Sequence, residues 1–91
     1  IIHPNNHVNL SQSTNDVYPT AIRLALIFKI RTLVTAMDYL CKTFSEKATE
    51  FADILKMGRT QLQDAVPMTL GQEFSAYAVM LGEDMDRLKE A

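Results

Sequence analysis

Two short polar segments interrupt an otherwise apolar chain, and their side chains are suited to binding an anion. The first segment is residues 11–16, SQSTND, which directly precedes a long helix-forming stretch. Backbone N–H groups at the start of a helix are free and the helix dipole is positive there, so a carboxylate or phosphate can bind. The alternative is simple helix capping, because Ser, Thr, Asn and Asp all favour that position. Spacing alone favours capping.

The second polar segment is residues 58–64, GRTQLQD. Its glycine permits an unusual backbone angle, while Arg59, Thr60 and Gln61 supply hydrogen-bond donors. An arginine can bind a carboxylate through two parallel hydrogen bonds. The alternative is an exposed loop in which Arg59 pairs with Asp64, and from the residues alone this is the better interpretation.

Two histidines four residues apart, His3 and His7, raise the question of a metal site. On a helix that spacing can hold a metal ion. Pro4 and the two asparagines after it argue against a helix, and no acidic third ligand accompanies the pair. We therefore predict neither a helix nor a metal site at this place.

Composition excludes several functional classes. The 91 residues carry a formal net charge of −2 without a basic patch, which argues against a nucleic-acid partner. Cys41 is the single cysteine, so no disulfide can form within the chain, and its place on an apolar stripe suits a buried side chain. No signal peptide and no apolar run of membrane-spanning length are recognisable, so we predict a cytoplasmic protein without a membrane partner.

The apolar periodicity predicts an all-α fold with a short extended connection. A loop at residues 1–15 leads to a long helix at 16–51, capped by residue 15 or 16. A partly extended connection at 52–68 carries the second polar segment, and a second helix covers 69–91. Long helices joined by one connection are typical of a helical bundle.

Each predicted helix has a face that should be buried. Apolar residues on the long helix alternate three and four apart, as in a coiled coil, and further apolar faces in its first half suggest several neighbours. This seam consists of Ile27, Ile30, Val34, Met37, Cys41, Phe44, Ala48 and Phe51. The second helix begins at Thr69, which forms a capping box with Gln72. Its buried face consists of Phe74, Tyr77, Ala78, Leu81, Met85 and Leu88.

The two polar segments together resemble a known family. Residues 3–16, HPNNHVNLSQSTND, are similar to the His-Pro-Asn…Ser-Gln-Ser-(Ser/Thr)-Asn-Asp segment of aspartases and class II fumarases. Residues 58–74, GRTQLQDAVPMTLGQEF, are similar to the second block that these enzymes share. Thr14 and Gln61 match the aspartase branch, since fumarases usually have Ser and His at those positions.

The resemblance implies an enzyme that reversibly eliminates ammonia from L-aspartate to give fumarate, through an aci-carboxylate intermediate. It implies that substrate carboxylates bind to Ser13, Thr14, Asn15, Thr60 and Gln61. Such donors stabilise the extra charge of the intermediate more than the ground state. It implies no organic cofactor, although a divalent cation activates some family members.

The resemblance also implies features beyond these residues. Family enzymes are homotetramers built on a bundle of twenty long helices, and each active site draws on three subunits. Their general base is a serine in a flexible loop, within a Gly-Ser-Ser…Met-Pro-x-Lys-x-Asn stretch that the 91 residues do not contain. Because the chain also lacks an initial methionine and ends in a helical pattern, we expect an inactive central fragment without a catalytic residue.

A secondary carboxylate site of the family corresponds to His3, Asn5 and Asn6. The match is incomplete, since Asn6 stands where the family usually has Asp. Two alternatives to the ammonia-lyase stay open. One is class II fumarate hydratase, which shares the fold and the intermediate, and the other is a non-catalytic helical assembly module that has kept the scaffold.

Overall fold

The computed structural model describes residues 1–13 and 15–91, so Thr14 lies outside the described residues. The elements follow in the order π-helical turn, helix α1, strands β1 and β2, and helix α2. They span Pro4–Val8, Val17–Glu50, Leu55–Thr60, Gln63–Thr69 and Leu70–Glu90. The described part is therefore mostly helical with a short hairpin, in agreement with the all-α prediction and its extended connection.

The first of two compact units, Ile1–Thr32, contains a helical turn where none was predicted. Pro4 is the first residue of the turn, where its missing N–H costs nothing. The Asn9 N–H closes the turn on the Pro4 carbonyl at 2.9 Å, and the His3 ring caps its start. The expectation that proline and asparagine exclude a helix here is wrong, because side-chain capping satisfies the N–H groups that a single turn leaves open.

Helix α1 begins at Val17, which leaves Asp16 at the predicted N-cap position. The Asp16 carbonyl accepts hydrogen bonds from the N–H and the hydroxyl of Thr20, at 3.4 and 2.8 Å. Pro19 falls in the first turn, where an N–H has no helical partner. No helix of the described residues is long and apolar enough to cross a membrane.

In the second unit, Leu33–Ala91, α2 packs antiparallel against the second half of α1. The rings of Phe44 and Phe74 meet edge to face with centroids 5.8 Å apart. One turn away from this contact, the thiol of Cys41 on α1 donates a hydrogen bond to the carbonyl of Ala78 on α2, at 3.3 Å. Aromatic contact and apolar burial therefore hold the two helices together.

The helix faces are buried largely as predicted. On α1 the seam is half-buried from Ile30 onward, whereas Ile27 is 49% exposed. On α2 the most buried large side chain is Met85, and Thr69 and Gln72 form the predicted capping box through reciprocal hydrogen bonds of 2.9 and 3.1 Å. The predicted burial of Tyr77 is wrong, since the residue is 42% exposed.

Strands β1 and β2 form an antiparallel hairpin in which Leu55 lies opposite Thr69 and Thr60 lies opposite Gln63. The sequence predicted an extended connection but not its second strand. The register shifts around Gly58, where a Cβ would lie 2.8 Å from the Val66 carbonyl oxygen. Only glycine fits this close approach, which explains the glycine of the second polar segment.

Candidate functional site

Thr60 and Gln61 lie at the tip of the hairpin. Thr60 ends β1, and Gln61 and Leu62 form the two-residue turn into β2. Gln61 has a φ of 48°, in the left-handed region that residues other than glycine rarely adopt. The side chains of this tip are exposed, so the turn presents polar groups to an incoming ligand.

Arg59 pairs with Asp64 across the two strands, with Nη2 and Oδ1 3.3 Å apart. This is the pairing that the exposed-loop interpretation predicts, and both side chains are more than 60% exposed. An exposed pair contributes little to stability, so a ligand carboxylate could compete with Asp64 for the guanidinium. In this chain the side chain of Arg59 is paired with Asp64. Thr60 and Gln61 lie closer to the tip of the hairpin than this pair.

The loop before α1 satisfies part of its own hydrogen-bonding capacity. The Ser13 Oγ accepts a hydrogen bond from the Asn15 N–H at 3.2 Å, and the Ser13 N–H donates to Asp16 Oδ2 at 2.8 Å. Ser11, the first residue of this polar segment, has a φ of 57°. Both hydrogen bonds lie within the loop, before the first residue of α1, so they do not cap the helix, and capping by Ser13 or Asp16 stays a prediction. The Val17 N–H at the start of α1 donates instead to the Gln12 Oε1, at 3.5 Å. The predicted role of Thr14 lies outside the described residues.

Asn15 lines an open groove at the start of α1. The groove is lined by both polar and apolar residues, among them Asp16, Thr20, Val17 and Leu24. The Asp16 carboxylate is an unfavourable neighbour for an anion. Its hydrogen bond with the Ser13 N–H offsets part of that repulsion.

His3, Asn5 and Asn6 come together in the π-helical turn. The His3 Nδ1 accepts hydrogen bonds from the backbone N–H groups of Asn5 and Asn6, each at 3.3 Å. The His3 N–H in turn donates to the Nδ1 of His7 at 2.8 Å. Both Nδ1 atoms are thus occupied by backbone groups. Among the residues that the structure describes, no group of three or more His, Cys, Asp or Glu could hold a metal ion.

One charged contact near the hairpin was missed by the sequence reasoning. The Lys56 Nζ of β1 lies 2.6 Å from the Glu73 Oε2 of α2. The hydrogen bond from Lys56 lowers the pKa of Glu73, burial acts in the opposite direction, and a hydrogen bond from Tyr77 lowers the pKa further. The hydrogen bond to Glu73 likewise raises the pKa of Tyr77. Neither helical nor strand periodicity predicts a contact between residues so far apart in sequence.

The structure brings Ser13 and Asn15 together in one loop, and Thr60 and Gln61 in one turn. Sequence reasoning missed the left-handed backbone within or beside each of these segments, at Ser11 and Gln61. Non-glycine residues in that conformation are concentrated at functional sites, because the surrounding structure must hold them there. Both polar segments thus combine hydrogen-bonding side chains with a constrained backbone.

Comparison with known proteins identifies close relatives of the whole chain. A family model described as lyase matches residues 1–91. The chain is 65% identical over 88 residues to the aspartate ammonia-lyase of Pseudomonas aeruginosa, covering 97% of this chain and 19% of that protein. It is 56% identical over 88 residues to the aspartate ammonia-lyase of Escherichia coli, covering 97% of this chain and 18% of that protein. The chain thus spans about a fifth of the length of these relatives.

Solved structures share the fold of the chain. A crystal structure of fumarate lyase:delta crystallin from Brucella melitensis in native form is 61% identical, with a TM-score of 0.77, over 98% of this chain and 21% of that one. A recombinant class II fumarase from Schistosoma mansoni is 42% identical, with a TM-score of 0.72, over 93% of this chain and 18% of that one. Since the family model covers every residue, the chain belongs to the lyase family.

Proposed function

We propose that the protein containing this chain is an aspartate ammonia-lyase, which converts L-aspartate reversibly to fumarate and ammonia. The supporting observation is the level of identity, 56% to 65%, with enzymes of that name from several bacteria over nearly the whole chain. Identity with the solved class II fumarase is lower, at 42%. Both polar segments fall within the matched residues.

The polar side chains of the two segments fit the charge that develops in this reaction. Removal of the proton next to a carboxylate places additional negative charge on that carboxylate, and the electron pair then forms the double bond as the carbon–nitrogen bond breaks. We assign the stabilisation of this aci-carboxylate to donors of Ser13, Thr14, Asn15, Thr60 and Gln61. Preorganised donors lower the barrier because they bind the intermediate more strongly than the substrate.

The hydrogen bond that Ser13 makes within the loop is compatible with carboxylate binding. The Ser13 Oγ is the acceptor for the Asn15 N–H, so the hydroxyl proton is still available to donate to a ligand. The Asn15 backbone N–H is used in that bond, while its side-chain amide offers two further donors. The internal hydrogen bonds of the loop therefore orient the donors that the proposal requires.

The secondary carboxylate site at His3, Asn5 and Asn6 is proposed with the same reasoning. Because the His3 Nδ1 accepts two backbone hydrogen bonds, the Nε2 of the neutral ring carries the proton. That N–H is the donor for a carboxylate. The side-chain amides of Asn5 and Asn6 add neutral donors, so binding at this site does not depend on a positive charge.

We also propose a homotetramer with active sites shared between three subunits, acting in the cytoplasm. Several large apolar side chains of α1 are exposed in the single chain, among them Ile22, Leu24, Leu26 and Phe28. An apolar helix surface of this kind is stabilised when neighbouring helices cover it. Proton abstraction is assigned to a residue outside the 91, and no organic cofactor is required by the proposed chemistry.

A substrate assay tests the proposed function. The whole protein is incubated with L-aspartate, and in parallel with L-malate, while fumarate is followed by ultraviolet absorbance. Fumarate from aspartate alone is the expected result. Fumarate from malate alone would identify a fumarate hydratase instead, and no fumarate from either substrate would favour a non-catalytic assembly module.

A further inference from the structure

An ion pair attaches the hairpin to the start of α2. The Lys56 Nζ and the Glu73 Oε2 are 2.6 Å apart, and their side chains are 32% and 29% exposed. The two residues stand 17 positions apart and belong to different elements. By comparison, Asp38 and Lys42 make an equally short but more exposed pair within α1. A partly buried pair that joins two elements restricts their relative orientation, since breaking it leaves a charge without its partner.

Glu73 lies beside the packed aromatic residues of the helix pair. Tyr77 lies one turn further along α2, close enough to Glu73 to influence the pKa of its carboxyl. The ring of Tyr77 lies 5.8 Å from that of Phe44 and 6.0 Å from that of Phe74. The partner of Lys56 therefore stands one helical turn from a residue that packs against aromatic rings of both helices.

Because Lys56 lies on β1, its ion pair with Glu73 also restricts the position of the hairpin tip. Thr60 follows four residues later on the same strand, at about 13 Å for an extended chain. At the base of the hairpin, the Leu70 N–H donates to the Ile54 carbonyl at 2.8 Å. An isolated two-stranded hairpin is only marginally stable, and residues 59–64 are exposed. A second attachment beyond the base therefore sets the angle at which the tip projects.

We propose that Lys56 and Glu73 are positioning residues, whose ion pair fixes the hairpin against α2 and thereby holds Thr60 and Gln61 where a substrate carboxylate binds. Neither charged side chain needs to touch the substrate for this role. The effect on substrate rests on the proposed function, whereas the attachment of the hairpin does not. The two parts of the inference can therefore be tested by separate measurements.

Lys56→Met tests the proposal in the whole protein, with Lys56→Arg as the conservative variant. We measure amide hydrogen exchange in residues 59–64 and the steady-state kinetics of L-aspartate consumption. Lys56→Met is expected to raise the exchange rate about tenfold, since the tip is released from α2. It should lower kcat/KM by about tenfold to a hundredfold, because displaced donors lose their alignment with the carboxylate. Lys56→Arg keeps a positive charge, so it should retain most of the wild-type exchange protection and most of the wild-type kcat/KM.

Lys42→Met is the matched control, since it removes a lysine that makes a 2.6 Å ion pair with Asp38 within a single helix. We expect this variant to change neither the exchange of residues 59–64 nor kcat/KM. Equal losses in both lysine variants would overturn the proposal, because they would show a general effect of lost charge. If Lys56→Met does not fold, Glu73→Gln removes the same pair with a smaller change in shape.

The two readouts separate failure of the inference from failure of the proposed function. Unchanged exchange in Lys56→Met overturns the attachment. Faster exchange with an unchanged kcat/KM overturns the positioning role. A wild-type protein that makes no fumarate from L-aspartate contradicts the proposed function, while the exchange measurement still decides whether Lys56 and Glu73 hold the hairpin.

Discussion

Gly71 of α2 lies so close to α1 that a Cβ at this position would be 2.4 Å from the carbonyl oxygen of Ala48. It would also lie 2.8 Å from the Cα of Ala52, and backbone atoms cannot move aside as a flexible side chain can. The Gly71 N–H donates to the Phe51 carbonyl at 2.9 Å, which fixes this approach. Because Gly71 has no side chain, the start of α2 can pack directly against α1 at the point where the hairpin ends.

Gly71→Ala is expected to destabilise the protein by about 1–3 kcal/mol, the usual range for forcing additional atoms into a packed site. The measurement is the midpoint of thermal unfolding of the whole protein. Gly82→Ala is the control on the same helix, since a Cβ there meets nothing within 4 Å. Alanine is the better helix former by about 1 kcal/mol, so Gly82→Ala should raise the midpoint slightly. A similar midpoint for both variants would contradict the close packing at Gly71.

The left-handed backbone of Gln61 leads to a second prediction. Glycine adopts a φ near 48° without steric cost, so Gln61→Gly should stabilise the hairpin by about 1 kcal/mol. The same change removes the side-chain amide, and we expect kcat/KM for L-aspartate to fall by about tenfold or more. Gln61→Asn keeps an amide and tolerates this backbone region, so it should retain more activity than Gln61→Gly. Full activity of Gln61→Gly would show that the amide does not contribute to binding.

The lowered pKa of Glu73 predicts that its stabilising effect is lost in acid. The hydrogen bond from Lys56 favours the charged carboxylate, so the folded pKa lies below the ordinary value of 4.5. The contribution is present above pH 4.5 and disappears as the pH falls through the folded pKa. Thermal unfolding of the wild type and Glu73→Gln should therefore differ at neutral pH and converge as the pH falls below the folded pKa of Glu73. A difference that persists unchanged in stronger acid would argue against the ionised pair.

Local patterns in the sequence predict the helices well. The expected helices at 16–51 and 69–91 compare with Val17–Glu50 and Leu70–Glu90 in the structure. The apolar seam and the capping box both depend on residues three or four positions apart, and a helix brings such residues close together.

Long-range contacts were harder to predict. The second strand was missed because strand pairing depends on residues far apart in sequence; it contains Pro67, which an edge strand tolerates. The π-helical turn was missed because its start is capped by the ring of His3, which no helix pattern includes. The candidate site residues came from the resemblance of two segments to a family, while the residues alone favoured capping and an exposed loop. The Lys56–Glu73 pair has no local pattern that could have revealed it.

Thr60→Ala in the whole protein is the most direct test of the central claim that the two polar segments bind the substrate carboxylates. The control is Thr49→Ala, which removes a hydroxyl that bonds the Ser45 carbonyl within α1. We expect Thr60→Ala to lower kcat/KM for L-aspartate about a hundredfold, the usual effect of losing one donor to a developing anion, and Thr49→Ala to leave it near the wild-type value. Activity of Thr60→Ala near that of the wild type would contradict the assignment of the hairpin tip to carboxylate binding.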